Sequence, residues 1–292
     1  MQIRILGSAA GGGLPQWNCS CLNCRAARKA GEYRSQSSAV VSDDGKNWLL
    51  LNASPDLTFQ FASSPWLYPS REMPRRSPIA AIVLTDAEMD HALGLLSLRE
   101  DKSLSLVCTA AVKRLLSKSF ALIPVLEKYT RIHYADFPTE VAGIKVTALE
   151  LETSKRPRYS SRPNRDGSVV ALRLESSRNK RCCIYLPSLP AITNKLDQWS
   201  RNCDCLIVDG TFWSEREMIS LGFSTRAAGD MGHVPINGKG GSLEWLRRLN
   251  VPRKIYTHIN NSNPILRKNS RERLRVESAG IEISRDQMRI RL

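Results

Sequence analysis

Two β-sheets packed face to face with helices outside them, an α/β fold, is what this 292-residue sequence predicts. Three observations carry the prediction. Short apolar runs of strand length recur along the whole chain, a few of them separated by helical stretches. Loops bearing Asp or His stand at the ends of several runs, as in layered folds whose strands deliver side chains to one rim. Hydrophobic residues make up 42% of the chain, enough for one large domain or two small ones.

In chain order, Gln2–Leu6 reads as the first strand. Ser8 to Pro15 is a loop of small residues, which lets the backbone come close to another element. It lacks the glycine spacing of a nucleotide site. Ser37–Ser42 and Trp48–Asn52 form a strand pair turned at Asp43-Asp44-Gly45. Asn52 to Asp56 is a turn, with Asp56 a candidate to support a nearby site. Residues 63–78, rich in Pro, Ser and Arg, form a loop. Ile79–Leu84 is a buried strand, broken by Thr85-Asp86-Ala87-Glu88-Met89-Asp90-His91 and followed by helical spacing over Ala92–Leu98. Then come a strand at Leu104–Cys108, a helix from Ala110 to about Phe120, and a helical or loop stretch to Tyr129. Ile144–Leu149, Val169–Leu174, Cys182–Leu186 and Cys205–Val208 are strands. Ser154–Gly167 is a polar, basic loop. Ser242–Leu249 is helical, Lys254–Tyr256 a strand, Ser270–Ala279 a charged helix, and two short strands close the chain. No internal repeat is visible.

The formal charge is +15, but the basic residues are spread, among them Arg71, Arg75, Arg76, Lys155, Arg156, Arg158, Arg162 and Arg165. No recognition helix or aromatic-rich sheet lies among them, which argues against nucleic acid as a partner. No apolar stretch has bilayer length, and Met1 to Gly7 does not read as a signal peptide, so no membrane role and a cytoplasmic location are expected.

Two constellations carry chemistry. Of four histidines, His91, His233 and His258 stand in loops after or between strands, each near Gly, Asp or Asn; His133 has no such setting. If Asp90, His91 and His258 converge, they form a two-imidazole, one-carboxylate set. With open positions that set suits non-heme Fe(II) and oxygen chemistry, and zinc hydrolysis can use the same ligands. Cys19, Cys21 and Cys24 have the spacing of thiolates on one structural zinc, with a fourth vertex to fill. The other five cysteines, Cys108, Cys182, Cys183, Cys203 and Cys205, read as small buried hydrophobes.

Thr85 to His91 resembles the metallo-β-lactamase superfamily signature T-H-x-H-x-D-H, and Thr257-His258 resembles its last metal-binding His. Leu6 to Gly13, Pro15 to Cys19, Asn52 to Asp56, Gly94 to Glu100, Val208 to Thr211 and His258 to Leu266 are similar to a narrower family, proteins of pyrroloquinoline quinone (PQQ) synthesis. The similarity runs nearly end to end. It implies an αββα sandwich of the metallo-β-lactamase type, one domain over 1–292, and a role in making PQQ. Asp86 and Glu88 replace the first two signature histidines, no third stands between His133 and Cys182, and Tyr185 to Ser188 lies where many relatives place a bridging Asp. One metal position has therefore lost its imidazoles. Loss of Asp86 or Glu88 is accordingly expected to be milder than loss of His91 or His258.

The resemblance implies an iron-dependent oxygenase acting with O2 on the tyrosine of a Glu–Tyr type peptide precursor. Alternatives are a zinc hydrolase, or a carrier of PQQ or its precursor toward the periplasm. It implies helper roles for Asp209 and His233 in handling protons. Related phosphodiesterases complete their cysteine zinc site with a His, where this chain has Asn261. A homodimer is compatible with the resemblance.

Overall fold

The computed structural model describes residues 1–72, 74–161 and 167–292. Met73 of the 63–78 loop, and residues 162–166 of the basic loop with Arg162 and Arg165, lie outside the described residues.

The strands are β1 (Gln2–Gly7), β2 (Ser38–Ser42), β3 (Trp48–Leu51), β4 (Ile79–Val83), β5 (Ser103–Val107), β6 (Arg131–Ala135), β7 (Thr139–Val141), β8 (Ile144–Glu150), β9 (Val170–Ser176), β10 (Cys182–Leu186), β11 (Cys205–Asp209), β12 (Arg253–Thr257), β13 (Ile281–Ile283) and β14 (Arg289–Arg291). They form two seven-stranded sheets, ordered β14-β1-β2-β3-β4-β5-β6 and β13-β12-β11-β10-β9-β8-β7. In each sheet one half pairs antiparallel and the other parallel, the change falling at β3 in the first and β10 in the second.

Alternating apolar residues explain the layering, because successive strand side chains point to opposite faces. Ile3, Ile5, Val41, Leu49, Leu51 and Val83 of the first sheet face Val146, Leu172, Leu174, Tyr185, Ile207 and Ile255 of the second. The outer face of the first sheet, with Val40, Leu50, Ile82 and Leu106, is covered by Leu57, Leu95, Val112, Leu116 and Leu126. Helices carrying Leu196, Trp245, Leu246 and Val276 cover the outer face of the second. The architecture is an αββα sandwich of metallo-β-lactamase type.

The five cysteines outside the N-terminal trio are buried in these layers. The expected helix at Ala110–Phe120 is α-helical only to Arg114 and then widens into a π turn, Leu115–Ser119. Ala92–Leu98 is mostly a 3-10 stretch after one α turn, Met89–Ala92. Gly94 explains how this stretch docks: a Cβ there would fall 2.0 Å from the Ser54 carbonyl oxygen. The strands β6 and β7 and the helices Leu22–Ala30, Leu57–Ala62, Asn194–Trp199 and Glu217–Ser220 were not foreseen. His133 lies exposed on β6, the outer strand of the first sheet. No helix among the described residues is long and apolar enough to cross a membrane.

Candidate metal centre

The parallel strands deliver the site from their C-terminal ends, the usual place for a ligand crevice in α/β sheets. After β4 the chain turns through Thr85, held by Asn52 at the end of the neighbouring β3: the Asn52 amide oxygen accepts from the Thr85 N–H at 2.9 Å. Asp90 and His91 follow in the short helical turn. His258 follows β12 at φ +55°, a left-handed conformation uncommon outside glycine and typical of constrained sites. The small-residue loop after β1 closes the crevice. Ala10 N–H donates to the Ile259 carbonyl at 3.0 Å, and a Cβ on Gly11 would lie 3.1 Å from an Asp90 carboxylate oxygen.

One carboxylate oxygen of Asp90 and one ring nitrogen each of His91 and His258 lie within 4.8 Å of one another. His258 Nε2 is 3.2 Å from Asp90 Oδ2, close to the roughly 3 Å expected for neighbouring ligands on one ion with bonds of about 2.1 Å. Both imidazoles have a fixed tautomer. His91 Nδ1 lies 2.8 Å from the buried Asp86 carboxylate, to which it donates. That turns His91 Nε2 inward, where it is buried with no hydrogen-bond partner among the described residues. His258 Nδ1 lies 2.7 Å from Thr211 Oγ1, whose own O–H donates to Asp209 Oδ1 at 2.5 Å. His258 Nε2 therefore carries the lone pair. These are the supports that metal-bound histidines need.

Electrostatics agree. Burial opposes charge on Asp90, yet His91 and His258 beside it hold its carboxyl far below the usual range. Burial likewise opposes charge on Asp86, but His91 and the Glu88 N–H hold it down at about 2. Against its own burial, Asp86 and Asp90 push the His91 imidazole up to about 9. The site thus demands a positive charge, which a metal ion supplies in place of the His91 proton. The donor set fits a divalent ion.

Asp209, His233 and His258 form a second close group. It is a hydrogen-bonded network, because the Thr211 hydroxyl sits among them. His233 Nδ1 donates to Asp209 Oδ2 at 2.6 Å. Burial lowers the His233 pKa despite Asp209, so the ring is neutral with Nε2 as its acceptor. His233 lines a cavity of about 580 Å³ together with Asp90, His258, Phe212 and Met231. Asp56, expected to support a nearby site, accepts from the N–H of the cavity residue Gln36 at 2.8 Å.

Cys19, Cys21 and Cys24 also converge, their sulfurs within 4.8 Å of one another. Bonds of about 2.3 Å to a tetrahedral zinc would set such sulfurs about 3.8 Å apart. Asn261 completes the group, its side-chain amide 3.1, 3.7 and 3.2 Å from the three sulfurs. Burial pushes Cys21 up to about 11. Cys19 is lowered in spite of burial, by the Cys21 N–H and the surrounding thiols and amide. Asn23 binds the Asn261 and Asn263 carbonyls at 2.8 and 2.9 Å, tying this group to the loop that carries His258.

Residues 47–259 match the family model of the beta-lactamase superfamily domain. The chain is 43% identical to coenzyme PQQ synthesis protein B of Cupriavidus necator, covering 99% of each chain. It is 42% identical to the protein of that name from Pseudomonas aeruginosa, covering 100% of each. The chain belongs to the coenzyme PQQ synthesis protein B family. The solved zinc-bound member of this family from Methylobacterium extorquens superposes with a TM-score of 0.91 at 34% identity, over 100% of both chains.

Against the superfamily signature, this family member uses Asp86 in a way its sequence did not disclose. The carboxylate standing at the first signature histidine is the orienting partner of His91. Its oxygens also accept from the Thr85 hydroxyl, the Glu88 N–H and the Ser188 hydroxyl. Ser188 comes from the segment after β10, where a bridging Asp was missing. Glu88 is paired with Lys155 at 3.1 Å. Asp86 substitution is still expected to be milder than loss of His91 or His258, but these contacts give it a cost of its own. Asp86→Asn should weaken metal binding at Asp90, His91 and His258 by 10- to 100-fold, the usual size of such second-sphere losses. Competition against a fluorescent chelator measures it, and unchanged affinity would reduce Asp86 to a loop cap. Glu88→Ala remains the milder change.

Proposed function

We propose that this chain acts in PQQ biosynthesis as a non-heme Fe(II) oxygenase that hydroxylates the tyrosine ring of a Glu–Tyr type precursor. The observation that carries this reading is the two-histidine, one-carboxylate set of Asp90, His91 and His258 at the cavity, beside which the Asp209, His233 and His258 group is taken up by hydrogen bonds among Asp209, Thr211 and the two rings. Asp86 is fully engaged by hydrogen bonds and Glu88 by Lys155. That disfavours a two-ion hydrolase, which clamps attacking and leaving oxygens between its metals. Ferrous iron in such a set supplies O2 activation.

The protein's own part is positioning and proton handling. Asp90, His91 and His258 would hold the ion at the wall of the cavity. Phe212, Met89 and Met231 offer apolar contact to a phenol ring. His233 Nε2, neutral and backed by Asp209, is placed to accept the phenol proton. One oxygen atom of O2 enters the ring and the other leaves as water, so an external two-electron reductant is required. Cys19, Cys21 and Cys24 are proposed to hold a structural zinc.

The test is metal reconstitution. Zn(II) binds such sites more tightly than Fe(II), so protein handled in air is expected to carry zinc and be inactive. Anaerobic removal of that ion and loading with Fe(II), then ascorbate, O2 and a Glu–Tyr peptide, should give O2 uptake and a product with one added oxygen atom. Full activity of a zinc-only preparation on an ester or phosphodiester would favour a hydrolase. Tight PQQ binding without turnover would favour a carrier.

A further inference from the structure

We infer that the metal cavity continues into a carboxylate-binding annex, built by Lys155, Arg158 and Arg226, that takes a di- or tricarboxylate ligand by its acid groups. This rests on the reading of the cavity as a substrate site and names the part of the substrate read outside the metal. A second chamber of about 520 Å³ adjoins the first, and Lys155, Arg158 and Arg226 line both. Arg156 adds a fourth cation to its wall.

The acids nearby are already engaged. Glu88 is paired with Lys155, and the Asp230 carboxylate accepts from the Ala227 N–H at 3.0 Å. The Arg226 guanidinium donates to the Asp230 carbonyl, a neutral acceptor. Arg158 has no carboxylate within ion-pair distance among the described residues. Neither guanidinium is ion-paired among the described residues, and three arginines against the one Asp230 carboxylate on the wall of the second chamber favour an anionic ligand, their forked donors matching a carboxylate.

The annex is also anchored. The Tyr159 hydroxyl donates to the Ala87 carbonyl at 2.5 Å, and its ring stacks on Phe120 with centroids 4.9 Å apart. The segment carrying Lys155 and Arg158 is thereby fastened to the loop that carries Asp90 and His91. The Lys155 stem crosses Gly232, where a Cβ would meet its Cδ at 2.5 Å. The position of these cations decides which anion is meant. A phosphoester under attack must lie on the metal itself, whereas these cations run from the cavity into the second chamber, whose lining includes none of Asp90, His91 and His258. They grip groups that do not react while the reacting ring rests against Phe212 and the ion.

The experiment uses the full-length zinc-loaded protein, so that binding is read without turnover. Glu–Tyr and Gln–Tyr, which lacks only the side-chain carboxylate, are titrated calorimetrically into wild type, Arg158→Gln and Arg226→Gln, with tricarballylate and pyrophosphate as competitors. Each variant should bind Glu–Tyr about tenfold more weakly, Gln–Tyr less than threefold more weakly, and lose competition by tricarballylate. Arg226→Lys should recover part of the loss, which a merely structural arginine would not show. Equal loss for both peptides, no loss for either, or loss of pyrophosphate competition alone overturns the annex. The two proposals separate cleanly. Tricarballylate binding that depends on both arginines, in a protein whose Fe(II) form leaves Glu–Tyr unoxidised, upholds the annex and overturns the reaction. Oxidation with an unchanged KM in both variants does the reverse.

Discussion

His258→Ala is expected to strip the cavity ion from the chain while the ion at the cysteines stays. In the proposed site three ligand atoms would hold the ion, and removing one would leave Asp90 and His91 alone. Changes of outer supports already cost up to roughly 100-fold in metal affinity; a lost direct ligand should exceed that, and turnover should fall to background. His91→Ala should do the same to the metal with an added structural cost, because Asp86 would remain as a buried carboxylate without its partner. Breaking a buried pair on one side typically costs about 3–5 kcal/mol. Ion content per chain by elemental analysis, alongside melting temperature, separates the two effects. If Glu88→Ala empties the site and His258→Ala does not, the ligand assignment is wrong.

Cys21→Ser is expected to lower zinc content by one ion per chain and to lower the melting temperature. Structural zinc in small finger peptides binds with an apparent 10–16 kcal/mol. Here two large sheets persist without it, so only the docking of the N-terminal loop is at stake. A loss of about 2–4 kcal/mol would shift the midpoint of a domain this size by roughly 3–7 °C. Because Asn261 stands three residues beyond His258 and joins the sulfurs, the variant should also bind the cavity ion more weakly. Unchanged zinc stoichiometry would sink the assignment.

Much of this was legible in the sequence, for physical reasons. Strands buried on both faces announce themselves as apolar runs, and β4, β10 and β11 fell where such runs stand. Asp90, His91 and His258, which the structure brings together, stand in the loops that follow such runs. Strand β6 escaped notice because it lies at a sheet edge, where alternate residues meet solvent and Arg131 and His133 break the apolar pattern. The helix Leu22–Ala30 was hidden beneath the metal-like spacing of Cys19 to Cys24, although Cys21 caps its start by accepting from the Cys24 N–H. The service of Asp86 to His91 could not be read from spacing. It depends on the pose of two rotamers held by Thr85 and by Ser188, which lies 102 residues away. Thr211 was likewise invisible: a hydroxyl becomes a tautomer lock only once β11 and β12 lie side by side.

The two proposed ion sites differ in how far along the polymer they reach. Cys19, Cys21 and Cys24 are two and three residues apart, so an unfolded chain can already wrap them around an ion. Asp90 and His258 are 168 residues apart, one from each sheet. Closing a loop that long in a disordered chain costs about 5 kcal/mol of entropy, so the cavity ligands do not meet until both sheets have formed and docked. If both sites load as proposed, the spacing sets an expected order. A soft ion can be taken up while the chain is still emerging, whereas the cavity accepts its ion only from the finished sandwich, and selection at that late step depends on which divalent ion is then at hand.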